Sequence, residues 1–218
     1  MTLLTCLVAR GQTTFKPGLR AGANFSHFTQ NTYNNYTYNS YDPTYNHARA
    51  VDFSSITDFY IGFYGALKLT KYYTLQPEFD YSRQGSDIKY IDINKVKLDT
   101  KFNVSYLSIA VLNKFTFSDK FNVHFGPSID FVVDQSRNFT YQIPVGVTPQ
   151  YYDYYSPYND LDSEVDLAFS AGLGFNFTKN IGIEARVKKG IIPVIDLSDS
   201  SHTNVVFSFG ATYTFDIK

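Results

Sequence analysis

The sequence predicts an all-β protein: an eight-stranded antiparallel up-and-down transmembrane β-barrel with long extracellular loops and short periplasmic turns. Three observations support this fold class. Eight segments alternate apolar and polar residues, the connections between them differ sharply in length, and the polar positions carry mostly small uncharged residues. Because successive side chains of a strand point to opposite faces, each segment would have one apolar face and one polar face.

The segment Leu167–Phe177 shows this alternation most clearly. Its apolar positions are Leu167, Phe169, Ala171, Leu173, Phe175 and Phe177, and the positions between them are Ala168, Ser170, Gly172, Gly174 and Asn176. A period of two excludes an amphipathic helix, which requires a period of about 3.6. The 11 residues also match the roughly 9–11 that a tilted strand needs to cross a bilayer.

Seven further segments repeat the pattern and complete the predicted barrel. They are Phe15–Phe28, Thr57–Leu69, Tyr73–Tyr90, Asn103–Phe117, Phe121–Val133, Ile181–Gly190 and a last strand at about Thr203–Phe215. Three similar tight hairpins define one end, at Thr70–Tyr72, Ser118–Lys120 and Thr178–Asn180. The other end has long polar loops at Thr29–Ile56 and Asp134–Asp162, a charged connection at Ile91–Lys101 and a shorter loop at Ile191–Ser200. This arrangement is typical of outer-membrane barrels, whose short turns are periplasmic.

Composition and charge fit a membrane barrel and exclude other classes of protein. Charged residues make up 18% of the 218 positions, below the roughly 25% of soluble domains. The 20 phenylalanines and 19 tyrosines suit strands and the aromatic girdles of membrane barrels. A net charge of -1 supplies no basic field, so no nucleic-acid partner is expected. The single cysteine, Cys6, excludes an intramolecular disulfide.

Residues 1–11 resemble the end of a secretory signal peptide, and residues 12–218 form the predicted barrel domain. A short apolar segment precedes small residues at Ala9 and Gly11, the two positions that signal peptidase reads, so Gln12 is the expected mature start. A lipoprotein with a lipidated Cys6 is the weaker alternative, because Thr5 precedes the cysteine and the apolar run before it is short.

Alternation alone does not decide which face of the barrel points outward. In a lipocalin-like soluble barrel the apolar face would point inward. Here the polar face is rich in Gly, Ser, Thr and Asn, where a soluble surface would carry many more Lys and Glu. Glycines at positions 22, 62, 126, 172, 174 and 210 fit a crowded interior. The apolar face is therefore predicted to contact lipid.

The charged residues of the polar face are predicted to form a network inside the barrel. They are Arg20, Lys68, Glu78, Asp80, Lys114, Asp130, Glu184, Arg186 and Lys188, together with His124. An eight-stranded barrel has room only for its own side chains, and buried charges must be paired. The two arginines are expected to pair with Glu78, Asp80 and Glu184. A packed polar plug is favoured over a proton or ion path, and no open diffusion pore is expected.

Six strand motifs carry a family resemblance. They are Gly18–Ser26, Leu75–Gly85, Tyr106–Ile109, Phe125–Ser128, Ala171–Phe175 and Phe209–Phe215. Together they resemble the PorT-like outer membrane β-barrel family of Bacteroidetes. The resemblance implies an eight-stranded barrel. It also implies a role in an envelope machine, since the name-giving member belongs to the type IX secretion and gliding machinery.

Two tyrosine clusters in the long loops form the predicted interaction surface. They comprise Tyr33, Tyr36, Tyr38, Tyr41 and Tyr45 in the first loop and Tyr151, Tyr152, Tyr154, Tyr155 and Tyr158 in the later one. Tyrosine is amphipathic and loses little conformational entropy at an interface. The alternative is that these rings pack on one another or lie at the lipid headgroups.

No catalytic residue, resident metal or cofactor is predicted. Asp199, Ser201 and His202 lie close together in sequence, but they are interpreted as a solvated loop tip rather than a catalytic triad. A weak Ca²⁺ candidate is the alternating acidic set Asp160, Asp162, Glu164 and Asp166. A solvated acidic rim is the favoured interpretation of that set.

The predicted function is a structural or interaction role without catalysis. The barrel would lie in the lipid of the bacterial outer membrane and bind envelope proteins or extracellular ligands through its tyrosine loops. A subunit of an envelope machine, such as the type IX secretion or gliding apparatus, is the alternative. A barrel protease or acyltransferase that depends on His27 or His202 is the least favoured hypothesis.

Overall fold

The computed structural model describes residues 13–29, 48–92, 97–118, 120–146, 161, 163–197 and 200–216. Ten strands lie within them: β1 Thr14–Phe28, β2 Ala48–Lys68, β3 Tyr73–Asp92, β4 Lys97–Thr116, β5 Phe121–Gln142, β6 Val165–Asn176, β7 Ile181–Gly190, β8 Ile195–Leu197, β9 Ser200–His202 and β10 Asn204–Thr214. The predicted signal peptide remnant, residues 1–11, lies outside the described residues.

Eight of these strands form a closed barrel in which sequence neighbours are also spatial neighbours. The order is β1-β10-β7-β6-β5-β4-β3-β2, and every pair is antiparallel. The barrel closes where the first and last strands meet, with Gly22 directly opposite Gly210. The predicted eight-stranded up-and-down barrel is confirmed.

Strands β2, β4 and β5 are longer than the alternation predicted, whereas β3 extends only two residues beyond the predicted Tyr73–Tyr90. Strands β2 to β5 have 20–22 residues, whereas β6, β7 and β10 have 10–12. The additional residues (48–55, 86–92, 97–105 and 134–142) form a four-stranded sheet extension at the end with the long loops. The predicted loops Thr29–Ile56 and Asp134–Asp162 are therefore wrong where they overlap β2 and β5.

The charged connection predicted at Ile91–Lys101 is also wrong in part, because most of it belongs to a ladder. Asp87 lies opposite Lys101, and Lys89 lies opposite Asp99. Opposite charges facing each other across two strands stabilise the pairing. The charges that suggested a loop therefore lie opposite one another on paired strands of the sheet extension.

The outer face of the barrel is apolar and its inner face is polar. Leu173 and Phe209, which point outward, are 51% and 55% exposed, whereas the inward Asn24 and Glu78 are 1% and 3% exposed. This is the reverse of a water-soluble barrel. It is the pattern expected when the outer surface contacts hydrocarbon. Among the described residues, no helix has the length and apolarity needed to span a membrane.

An apolar cluster closes the inside of the barrel toward the long loops. It consists of Phe28, Ile88, Phe102, Val104, Tyr106, Val194 and Ile195, all of them buried. The last two come from the region predicted as the loop Ile191–Ser200, which instead contains β8 and leads into a small hairpin with β9. The hairpin folds into the barrel, where the surrounding strands cover its apolar side chains.

The interpretation of His202 as a solvated loop tip is wrong. The residue lies at the end of β9 and is only 3% exposed. Its Nδ1 donates to the carbonyl oxygen of Thr29 (2.6 Å) and its ring stacks on Phe53 at 4.6 Å between centroids. Ser201 is exposed, and Asp199 lies outside the described residues. His202 therefore has a packing role at the top of the barrel.

Candidate functional site

A network of five charged side chains crosses the middle of the barrel. Arg20 donates to Asp80 Oδ2 (2.5 Å) and Glu184 Oε1 (2.8 Å). Arg186 donates to Glu78 Oε2 (2.6 Å) and Glu184 Oε2 (2.7 Å). All five side chains are buried. Arg20 also lies 3.3 Å from Glu78 Oε2, so it reaches three carboxylates and Arg186 reaches two. The guanidinium groups thereby compensate the charges that the interior removes from water.

Tyr60 completes this network, and its role could not be assigned from the sequence. Its ring lies 4.4 Å from the guanidinium carbon of Arg20, and its hydroxyl donates to Glu184 Oε1 (3.2 Å). The ring fits because it covers Gly22 and Gly210, where a Cβ atom would collide with it. The only sequence signal is that Tyr60 occupies the polar parity of its strand.

A second set of polar contacts spans the lumen nearer the long loops. Asn24 donates to Ser82 Oγ (2.9 Å) and accepts from Ser208 Oγ (2.8 Å). Asn204 donates to Gln84 Oε1 (2.5 Å). These contacts join β1 and β10 to β3 through the interior, so the polar side chains tie together the two sides of the barrel seam.

A small chamber of about 40 Å³ lies between these polar layers. Five residues that line it each have a buried atom without a hydrogen-bond partner among the described residues: Asp80 Oδ1, Ser108 Oγ, Ser128 Oγ, Asp130 Oδ1 and Arg186 Nε. Asp80, Ser108 and Asp130 also lie directly opposite one another on three neighbouring strands. A polar cavity of this volume suits two or three ordered waters at roughly 10–15 Å³ each, which would complete their hydrogen bonding.

The remaining interior charges do not all join the central network. Lys188 forms a separate ion pair with Asp130. Lys114 donates to Gln76 Oε1 at 3.4 Å. Lys68 is exposed at the mouth beside the short turns instead of lying in the packed interior. Within the part of the chain that the structure describes, neither Lys68 nor Lys114 forms an ion pair.

The other predicted sites fall largely outside the described residues. The whole set of loop tyrosines lies there: Tyr33, Tyr36, Tyr38, Tyr41, Tyr45, Tyr151, Tyr152, Tyr154, Tyr155 and Tyr158. Of the acidic candidates for Ca²⁺, Asp160 and Asp162 also lie there, Glu164 is exposed, and Asp166 is buried and accepts from the backbone N–H of Ile192 (3.2 Å). The described residues contain no group of three or more His, Cys, Asp or Glu that could hold a metal.

A family model for the outer membrane protein β-barrel domain matches residues 10–196 of the chain. The chain belongs to this outer membrane β-barrel family. No curated protein matches the sequence.

Solved structures that the chain is similar to include other outer membrane β-barrel proteins. Ail from Yersinia pestis is 12% identical, with 92% of this chain and 98% of that chain covered and a TM-score of 0.45. OprG from Pseudomonas aeruginosa is 12% identical, with 95% and 99% covered and a TM-score of 0.47. Neisserial surface protein A is 10% identical, with 91% and 97% covered and a TM-score of 0.48.

Membership of the outer membrane β-barrel family fixes the location and the orientation of the chain. The protein lies in the bacterial outer membrane, as predicted. Its short turns face the periplasm, and the long loops and the sheet extension face the outside of the cell. The polar network is then inside the membrane, and the apolar cluster lies toward the extracellular mouth.

The apolar outer face makes a direct prediction about lipid contact. Leu173 lies near the middle of β6 and Phe177 follows the end of that strand; both point outward. The change Leu173→Arg is expected to destabilise the barrel by about 2–4 kcal/mol, and Phe177→Arg by at most about 1 kcal/mol, because the cost of a cationic side chain falls toward the interface. Urea unfolding in phosphatidylcholine vesicles measures both. Equal costs would contradict the predicted depth of these residues.

Proposed function

We propose that this outer membrane barrel is an anchor that presents a binding surface to the outside of the cell and conducts no solute. The observation that carries the proposal is the filled lumen. The charged network and the apolar cluster lie one above the other across the interior. Eight strands leave space only for side chains. In a barrel without a conducting path, the surface that soluble partners can reach lies at its two ends.

The sheet extension supports the extracellular end as the binding surface. Four strands extend past the rest of the barrel, and residues 30–47, 93–96 and 147–160 adjoin these strands in the sequence. Its outward side chains include the exposed Lys89, Lys101 and Asp134. These charged residues contrast with the apolar belt below, which supports a position of the extension in water, outside the membrane. We infer that the tyrosine clusters, which adjoin these strands in the sequence, supply the binding residues.

Shortening the tyrosine loops tests this proposal. Residues 30–47 and 147–160 are replaced by short Gly-Ser linkers, separately and together, which leaves the strands of the barrel intact. We expect the variants to fold in the outer membrane but to lose the proteins or surface polymers that are cross-linked to the unmodified chain on living cells. Shortening the connection at residues 93–96, which lacks tyrosine, is the matched control. A cross-linking pattern unaffected by the loss of both tyrosine loops would contradict the proposal.

A subunit of a type IX secretion or gliding apparatus is the alternative function, and it rests on the resemblance to the PorT-like family. Its distinguishing result is stoichiometric co-purification of other envelope proteins in mild detergent, together with loss of cargo export when the gene is deleted. A lone barrel with normal export would favour the anchor.

We propose no catalytic role for this barrel. His27 Nδ1 lies 3.4 Å from Ser55 Oγ, but among the described residues no carboxylate contacts His27 to complete a triad. His202 is buried by Phe53 and Thr29 rather than lining an open cleft. These placements weaken the hypothesis of a barrel protease or acyltransferase.

A further inference from the structure

The periplasmic mouth of the barrel contains a cavity of about 580 Å³ with a strongly cationic lining. We name it the lysine vestibule, and its polar walls are formed by Lys68, Lys71, Thr74, Lys114, Thr116 and Ser118. It lies at the end opposite the proposed binding surface, so an inference about it is independent of the proposed function. Its volume falls within the roughly 300–1,000 Å³ of small-molecule sites.

The strand register brings two of the lysines onto the same inner row. Lys68 of β2 lies opposite Thr74 of β3, and Thr74 lies opposite Lys114 of β4. The row continues to His124 of β5, which lies opposite Lys114. Side chains in such a row are immediate neighbours on one face of the sheet. Two ammonium groups and one intervening hydroxyl are therefore directed into the same mouth.

The three lysines of the vestibule have no acidic partner among the described residues. Lys114 donates to the neutral amide oxygen of Gln76, and Lys71 lies over the ring of Tyr72 at 5.4 Å. The described acid at this end, Asp216, is held by Lys16 and by Asn180, whose hydrogen bonds lower the pKa of its carboxyl group. The vestibule therefore has an excess of positive charge, and the carboxylates that act on it electrostatically, Glu78 and Glu184, lie further inside the barrel and are already paired with arginine.

Hydroxyl groups complete the lining in a manner suited to an oxyanion. The hydroxyl oxygen of Ser118 accepts the backbone N–H groups of Lys120 (3.4 Å) and Phe121 (3.1 Å), which leaves its proton available to donate. Thr74 and Thr116 add two further hydroxyls to the same wall. Lysine ammonium groups bind phosphate as point charges, and hydroxyls contribute neutral donors.

We propose that the lysine vestibule binds a phosphate-class oxyanion from the periplasmic side. The phosphate is either that of a soluble compound or that of an anionic phospholipid headgroup in the inner leaflet. Both sources offer the same chemistry, because their negatively charged oxygens accept hydrogen bonds from three ammonium groups and from hydroxyl groups. The ligand enters through the open mouth and does not pass the charged network above it.

The test for a soluble ligand uses the full chain in a maltoside detergent that contains no phosphate. Calorimetric titration with inorganic phosphate, and separately with pyrophosphate, is expected to show saturable binding that weakens as sodium chloride is raised. Each of Lys68→Met, Lys71→Met and Lys114→Met is expected to reduce the affinity by about tenfold, the effect of losing one charge-assisted hydrogen bond. Lys68 and Lys71 are exposed, so these two variants remain informative if Lys114→Met fails to fold.

Matched controls come from the other two short turns. Lys120 and Lys179 are exposed at the same end of the barrel but do not line the vestibule. Lys120→Met and Lys179→Met are expected to leave the affinity unchanged. If they weaken binding as much as Lys68→Met does, general attraction of anions to this end explains the result and the proposal is overturned.

The lipid source is tested in nanodiscs of phosphatidylglycerol and of phosphatidylcholine. If a headgroup occupies the vestibule, phosphatidylglycerol raises the unfolding midpoint of the unmodified chain relative to phosphatidylcholine, and the double variant Lys68→Met/Lys71→Met loses that increase. A positive result in either experiment supports the site and identifies its source of phosphate. Absence of binding in the titration together with equal midpoints in the two lipids overturns it.

Discussion

Replacing Arg186 with methionine is expected to destabilise the barrel by about 3–5 kcal/mol, the usual cost of stranding buried charges. The guanidinium group of Arg186 is the donor to Glu78 and to Glu184, at 2.6 and 2.7 Å. Both carboxylates are buried. Methionine fills a similar volume but leaves them without that partner. Far-UV circular dichroism of urea unfolding in vesicles measures the loss.

Two further variants distinguish the effect of stranding buried charges from the effect of replacing a charged side chain with methionine. In Arg186→Met/Glu78→Gln one stranded charge is removed as well, so this double variant is expected to recover part of the lost stability. Lys16→Met breaks an exposed ion pair with Asp216, whose side chains are 41% and 56% accessible, and no measurable change is expected. If Arg186→Met were no more harmful than Lys16→Met, the network would not contribute to holding the barrel together.

Replacing Gly210 with valine is expected to prevent closure of the barrel. A Cβ atom at this position would overlap the hydroxyl of Tyr60 and the carbonyl oxygen of Ala21, and would lie 2.8 Å from the Cα of Gly22. Overpacking in an interior usually costs about 1–3 kcal/mol. Here the displaced groups include the backbone of the seam, so we expect a loss at or above about 3 kcal/mol, the top of that range.

The neighbouring residue supplies the matched control for the seam. Ala211 is exposed on the outer face, opposite Ala21. Ala211→Val adds two methyl groups on the lipid side and is expected to fold normally. The faster gel mobility of unheated, folded barrel reports the outcome for both variants. Normal folding of Gly210→Val would show that Tyr60 can move aside and that the seam is less crowded than the structure indicates.

The sequence predicted the membrane-spanning part of the strands because lipid and interior impose opposite demands on alternating residues. It failed for the sheet extension, where water lies on the outer face. There Asp99 and Lys101 were predicted to belong to the connection Ile91–Lys101, although they lie opposite Lys89 and Asp87 on the neighbouring strand. Alternation reports the contrast between two environments, and that contrast disappears above the membrane.

The sequence predicted the candidate sites only in part, because the alternation of residues along a strand assigns a side chain to a face but does not identify its partners. Parity correctly placed Arg20 and Glu184 on the inner face, where they now contact each other. It could not reveal that Lys68 and Lys114 share a row without an acid, because that depends on the register between strands. Register is set by pairing along the whole length of two strands, so it cannot be predicted from the sequence of one strand alone. Tyr60 was missed for a related reason, since its partners come from distant strands.

The central network joins residues that are far apart in the sequence, and this affects the order in which the barrel folds. Arg20 and Glu184 are 164 positions apart in the chain, and Glu78 and Arg186 are 108 apart. Contacts between such distant residues form late and slowly in folding. An open sheet that entered the bilayer early would carry its ionised groups into hydrocarbon unneutralised. Productive insertion must therefore be nearly simultaneous with ring formation, so folding intermediates with half of the strands in the membrane should be scarce.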